Sequence, residues 1–204
     1  MVPPIYLQYG NKMPTTDYIQ MVNLYAKPGV QIVDKLTPLN SHIWHMGTGI
    51  AGEAAELLGA YDASMCENQV LDVENVVEEL GDIEFFLSGL RVALWITRIQ
   101  TTGDVDNSYD NYPASVLSIK LVIECGNLLD LVKKKVVYNK EIEQQKFIDV
   151  LTRIESIMYC IRIISDISHE EVIAANKRKL NIRHDNSAFT DEKQTDRADK
   201  EPGQ

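Results

Sequence analysis

The chain has 204 residues, 45% of them apolar, which suffices for one self-standing core, and thirty acids against twenty bases leave a net charge of -10. That balance argues against nonspecific binding to nucleic acid or to an anionic membrane. No run is apolar enough for export or a membrane span, and three scattered cysteines (Cys66, Cys125, Cys160) make neither a CxxC nor an even disulfide set. The expected setting is the reducing cytoplasm (a host's, if the source is viral), not a secreted, transmembrane or zinc-ribbon protein.

Thr15, Thr16 and Asp17 open a short helix near 15–26. A long helix follows near 40–62, capped by Asn40 or Ser41. A third runs from about Asp72 to Gln100, on the spacing of Val76, Leu80, Ile83, Leu87, Leu90 and Leu94. The polar stretch from Thr102 to Tyr112 is a loop, and Pro113 suits the first turn of a fourth helix ending near Val137. A fifth spans about Glu141 to Ser165, and Ser168-x-x-Glu171 is a capping box that starts a sixth. Prolines at 3, 4, 14, 28, 38, 113 and 202 leave 39–112 and 114–201 free of the strongest helix breaker. With no strand-like alternation, the chain reads as all-α, a single domain over 1–180. Residues 181–204 hold ten charged side chains and almost nothing apolar, so that segment is expected to be solvated unless a ligand orders it.

An ungapped shift of 71 residues sets Glu53 on Glu124, Leu57-Leu58 on Leu128-Leu129, Leu80 on Leu151, Ile83-Glu84 on Ile154-Glu155 and Arg91 on Arg162. This predicts a duplication: one helical hairpin over about 40–101 and a diverged copy over about 114–172, packed side by side. Ile154, Ile157 and Ile161 should then bury against the core of the first hairpin.

Residues three apart share a helix face, so Glu53 with Glu56, and Glu79 with Asp82, form two acidic pairs on the two arms of the first hairpin. Leu57, Leu80 and Ile83 adjoin them, which disfavours a fully solvated face. Two like charges 4 Å apart repel by about 4 kcal/mol at an effective dielectric of 20, and a divalent cation removes that cost. All-carboxylate ligation suits Mg²⁺ or Mn²⁺, while a di-iron bundle would want a His in each pair. Asn75 lies one turn before Glu79, and His42, His45, Gly49, Gly52 and Glu56 share a stripe whose glycines allow close approach. Asn75 and His45 are therefore candidates for contact with a polyphosphate. Glu78 reads as solvent-facing, or as a support behind the metal-binding acids. No HExxH, P-loop or GxSxG motif is present.

The run Gly49-Ile50-Ala51-Gly52-Glu53-Ala54-Ala55-Glu56-Leu57, followed by Asn75-Val76-Val77-Glu78-Glu79-Leu80-Gly81-Asp82, resembles the MazG-like branch of the all-α nucleoside triphosphate pyrophosphohydrolases. Their signature is ExxE, a spacer, then ExxD. A second stretch, Asn176-Lys177-Arg178-Lys179-Leu180 through Arg183 to Arg197-Ala198-Asp199-Lys200, looks like the end of phage-type members. The resemblance implies Mg²⁺-dependent hydrolysis of a (deoxy)nucleoside triphosphate to the monophosphate and pyrophosphate, in control of a nucleotide pool. Purine deoxynucleotides such as dGTP or dATP fit as well as pyrimidines. Glu53, Glu56, Glu79 and Asp82 would hold the metal and carry catalysis. Members of the family usually carry Lys-Lys after the first motif, where this chain has Tyr61-Asp62-Ala63-Ser64. The bases expected to meet phosphate are therefore Lys133 and Lys134 from the second copy, with Lys179, Arg183, Arg197 and Lys200 from the C-terminal segment. In the second copy, Glu124 remains while Asn127, Val150 and Arg153 replace the other acids, so one metal site per chain is expected. The expected partners are the nucleotide and a second copy of the chain in a dimer. A non-catalytic nucleotide- or protein-binding helical module is the alternative reading.

Overall fold

The computed structural model describes residues 16–66, 70–97, 109, 111–185, 187–196 and 199, which form eight helices and no strand. They are α1 (Asp17–Tyr25), α2 (Gly29–Val33), α3 (Pro38–Cys66), α4 (Val73–Leu94), α5 (Ala114–Val136), α6 (Gln144–Ile164), α7 (His169–His184) and α8 (Asp191–Asp196). None of them is long and apolar enough to cross a membrane.

The all-α expectation holds, and local chemistry moves several of the expected boundaries. α3 begins at Pro38, because the Thr37 hydroxyl accepts from the Asn40 N–H at 3.1 Å and proline suits the first helical position. The cap is thus Thr37 and not Asn40 or Ser41. α4 is capped by Asp72, whose carboxylate accepts from the Asn75 N–H at 3.0 Å. It stops at Trp95, which takes a left-handed conformation with φ of 56°, well before Gln100, which itself lies outside the described residues. Ser168 caps α7 as expected, accepting from the Glu171 N–H at 3.1 Å. α7 then runs past Leu180 to His184, and α8 follows, so part of the segment expected to be solvated is helical.

α3 is central: it packs against α4 on one side and α5 on the other. α6 lies on α5, α7 lies on α4, and α6 also touches α4. One continuous core joins the two hairpins, and Ile154, Ile157 and Ile161 are fully buried in it with Ile50, Leu57, Leu80 and Leu87. Where α4 meets α6, the Arg91 guanidinium pairs with the Glu155 carboxylate inside that core.

Removing one member of a buried pair leaves the other charged and desolvated. Arg91→Ala should therefore destabilise by about 3–5 kcal/mol, while Arg91→Met with Glu155→Leu should recover most or all of that loss. Urea denaturation of the two variants checks this; equal losses would show that packing, not charge, dominates at the site.

Candidate functional site

Glu53 and Glu56 on α3 and Glu79 on α4 bring one carboxylate oxygen each to within 4.8 Å of one another. Their burial is graded: Glu56 is exposed, Glu53 is half-buried, and Glu79 is only 6% exposed. Glu79 has no choice in this, since Leu80 and Ile83 on the same helix must enter the core. Its Oε2 is buried without a hydrogen-bond partner, a costly state for a carboxylate oxygen unless something else fills that side. Burial, first of all, pushes the Glu79 carboxyl up to about 8, and its hydrogen bond with Glu53 and the charges of Glu56 and Asp82 push the same way. Burial also raises Glu53. A hydrogen bond between two carboxyls needs a proton, so without a cation this pair shares one near neutral pH.

Asp82, one turn beyond Glu79, faces the same cleft but is engaged by α7. Its Oδ1 accepts from the Asn176 amide at 2.7 Å, and its Oδ2 pairs with the Lys179 ammonium. Lys179 also reaches Glu78 at 2.7 Å, so Glu78 is an ion-pair partner that remains partly exposed. Gly81 permits this docking: a Cβ there would lie 2.9 Å from the Asn176 Cβ and 3.3 Å from the Val172 carbonyl. Any larger residue would push α7 off α4.

The carboxylates, Lys179 and Arg183 border a cleft of about 320 Å³, whose other wall is aromatic. His45 and Phe86 meet edge to face with ring centroids 5.7 Å apart, and Phe85 packs edge-on to Phe86 at 5.2 Å. Phe86 lies directly over Gly49, where a Cβ would stand 2.5 Å from the ring. Gly49 thus admits a neighbour closely, as its stripe suggested, whereas Gly52 faces open space. Phe85 and Phe189 remain 46% and 64% exposed, leaving flat apolar faces available beside the acids.

Of the residues singled out in the sequence, the cleft gathers Glu53, Glu56, Glu79, Asp82, His45, Lys179 and Arg183. Three others are placed elsewhere. Asn75 sits in the first turn of α4, where its backbone N–H donates to the Asp72 cap, and it does not line the cleft. Lys133 and Lys134 pair with Asp130 on their own helix, at 3.1 and 2.5 Å, in the last turns of α5 and away from the cleft lining. Arg197 and Lys200 lie outside the described residues. Phe85, Phe86, Asn176, His184 and Phe189 were not anticipated. Phe86 had a signal: it follows Glu79 by seven and Asp82 by four, on the same stripe of α4.

In the α5–α6 hairpin, the residues that the 71-residue shift sets against these acids make a pair of their own. Arg153 Nε donates to Glu124 Oε2 at 2.9 Å, the Asn127 amide reaches the same oxygen at 3.3 Å, and Val150 is buried. Compared with protein-family models, curated proteins and solved structures, the chain matches none.

The raised Glu79 carboxyl has a definite linkage sign. The folded state holds a proton that the unfolded state has lost, so stability declines as pH rises from about 4.5 towards about 8. Glu79→Gln should flatten that decline in metal-free protein, as read by melting temperature across the window. Millimolar Mg²⁺ should raise the parent melting temperature, more at pH 8 than at pH 6, because the cation displaces the proton. A pH-independent or absent response to Mg²⁺ would count against a cation site.

Proposed function

We propose that the chain is a Mg²⁺-dependent nucleoside triphosphate pyrophosphohydrolase of MazG-like type, converting a (deoxy)nucleoside triphosphate to its monophosphate and pyrophosphate in the cytoplasmic pool. The observation that carries this reading is the buried Oε2 of Glu79, without a hydrogen-bond partner beside two further carboxylates in a cleft that also offers cations and flat rings. The donor set fits a hard divalent ion: three converging carboxylates, with Asp82 beside them, and no sulfur or imidazole within the tight group.

Glu53, Glu56 and Glu79 would hold the cation, with Asp82 joining if Lys179 turns towards the ligand. A hard ion bound there offsets phosphate charge and makes a water molecule more acidic. The remaining work falls to side chains of the chain itself. Lys179 and Arg183 can donate charge-assisted hydrogen bonds to phosphate oxygens. Phe85, Phe86 and Phe189 offer surfaces on which a planar base can lie, which favours a nucleotide over an inorganic polyphosphate.

Two features support the tandem-hairpin part of the reading. Arg91 and Glu155 occupy the shifted counterparts of Arg162 and Glu84, so their bridge joins an arginine of one copy to a glutamate of the other. Cross-pairs of this kind arise when two copies of one hairpin pack about a pseudo-two-fold axis. The Glu124–Arg153 pair supports the expectation of one site per chain, because a guanidinium stands in the copy where a cation would otherwise be needed.

Pyrophosphate release from a panel of nucleoside triphosphates, with and without Mg²⁺, tests the proposal. Turnover should require the metal. Glu53→Gln and Glu56→Gln should each lower kcat by about a hundredfold or more, the scale of losing several kcal/mol of metal-assisted stabilisation. Arg183→Ala should cost about tenfold or more in kcat/KM, while Lys134→Ala should behave as the parent. Metal-dependent nucleotide binding without pyrophosphate release would leave a non-catalytic nucleotide-binding module.

A further inference from the structure

Arg183 stands in the last turn of α7 and lines the carboxylate cleft, but its forked edge is already engaged. Nε and Nη2 donate to the two carboxylate oxygens of Asp199, each at 2.7 Å. The pair is well shielded, with the Arg183 side chain 9% exposed and that of Asp199 3%. The segment that returns Asp199 to α7 is fastened on the way: Lys193 Nζ donates to the His184 carbonyl at 2.7 Å and to the Ser187 hydroxyl at 2.5 Å.

A guanidinium fork receives a carboxylate and a phosphate through the same two parallel hydrogen bonds. Asp199 therefore occupies the side-on edge of Arg183, one of the two edges through which a guanidinium can grip a phosphate. Lys179, the cleft's lysine, is likewise committed to Asp82 and Glu78. Both the lysine and the arginine that line the cleft thus face carboxylates of their own chain.

We propose that Asp199 is a built-in occupant of the cleft's anion subsite, a C-terminal strap that an incoming phosphate displaces from Arg183. The idea rests on reading the cleft as a phosphate site. Its consequence is selectivity. Asp199 is tethered sixteen residues from Arg183, so it competes at the high effective concentration of an intramolecular group. A lone orthophosphate or sulfate exchanges one bidentate partner for another and gains little. A pyrophosphate or longer chain, also gripped by a cation on Glu53, Glu56 and Glu79, gains enough to expel the strap.

The test uses the full chain, Mg²⁺ and inorganic pyrophosphate, with affinity read by titration calorimetry. Asp199→Asn keeps the side-chain shape and removes the charge, so pyrophosphate should bind about tenfold more tightly than to the parent. In the parent, saturating pyrophosphate should make the α8 amides (residues 191–196) exchange hydrogen faster, the reverse of the usual protection by ligand. Equal or weaker affinity in Asp199→Asn overturns the strap, since Asp199 would then merely hold Arg183 in place. Should that variant fail to fold, unchanged or slower α8 exchange in the parent overturns it instead. No pyrophosphate binding to either protein also overturns it, and pyrophosphate release from nucleotides by the parent shows separately whether the proposed activity falls too.

Discussion

Three carboxylates converge on the edge of an apolar interior, and much of the surrounding structure compensates the resulting charge. Each close pair of like charges costs about 4 kcal/mol at an effective dielectric of 20, and the buried position of Glu79 raises that cost further. The fold relieves it in stages. Burial pushes the Glu79 carboxyl up to about 8 so that it keeps its proton beside Glu53, and Lys179 and Asn176 bind the outer acids Asp82 and Glu78. The docking of α7 on α4 follows from that relief, and Gly81 makes it sterically possible by letting Asn176 approach the helix backbone. Charge compensation and helix packing are here one arrangement.

The two hairpins compensate their acids differently. Around Glu124 the counter-charge is a guanidinium: Arg153, projecting from α6, pairs with the carboxylate at 2.9 Å. Around Glu79 the counter-charges are a proton and an ammonium on a flexible stem, both replaceable by a cation. Around Arg183 the counter-charge is the carboxylate of Asp199, which follows α8 in the chain. Exchangeable partners impose little loss when a ligand enters, because each departing group leaves behind a charge that the ligand satisfies. Such an arrangement suits binding better than a stability role, for which fixed pairs such as Arg91 with Glu155 serve.

Helix identity was legible in the sequence because apolar spacing reports which residues share a face, as with Val76, Leu80, Ile83, Leu87 and Leu90, all buried. The meeting of Glu53, Glu56 and Glu79 was legible for the same reason, once two helices were read as one hairpin. Helix ends were less so. The choice among Thr37, Asn40 and Ser41 as cap depends on which hydroxyl reaches a free N–H, and Trp95 ends α4 by adopting a conformation that its side chain does not favour. The partner cations were hardest to place. Lys133 and Lys134 lie in the right type of helix, but spacing cannot reveal that α3 separates α5 from α4, or that α7 packs on α4's outer face. Arg183 was expected to meet phosphate from an otherwise solvated segment; its burial is offset chiefly by the return of Asp199 sixteen residues later, with Asp82 and Glu78 adding to it.

α4 shows how one helix can serve core and cleft together. Its stripe of Leu80, Ile83, Leu87 and Leu90 is fully buried, which fixes the helix's rotation about its own axis. With that angle fixed, the neighbouring stripe of Glu79, Asp82 and Phe86 must face the seam between α3 and α7, where the cleft lies. An acid at the buried edge of this stripe is therefore not free to turn towards solvent, unlike Glu56 across the seam, which remains exposed. Rotation of α4 by even one residue's spacing would expose Leu80 or bury more charge, and both are opposed by several kcal/mol. The apolar core thus supplies the force that holds Glu79 in its unfavourable place, and the proton, or a cation, is the response to that force.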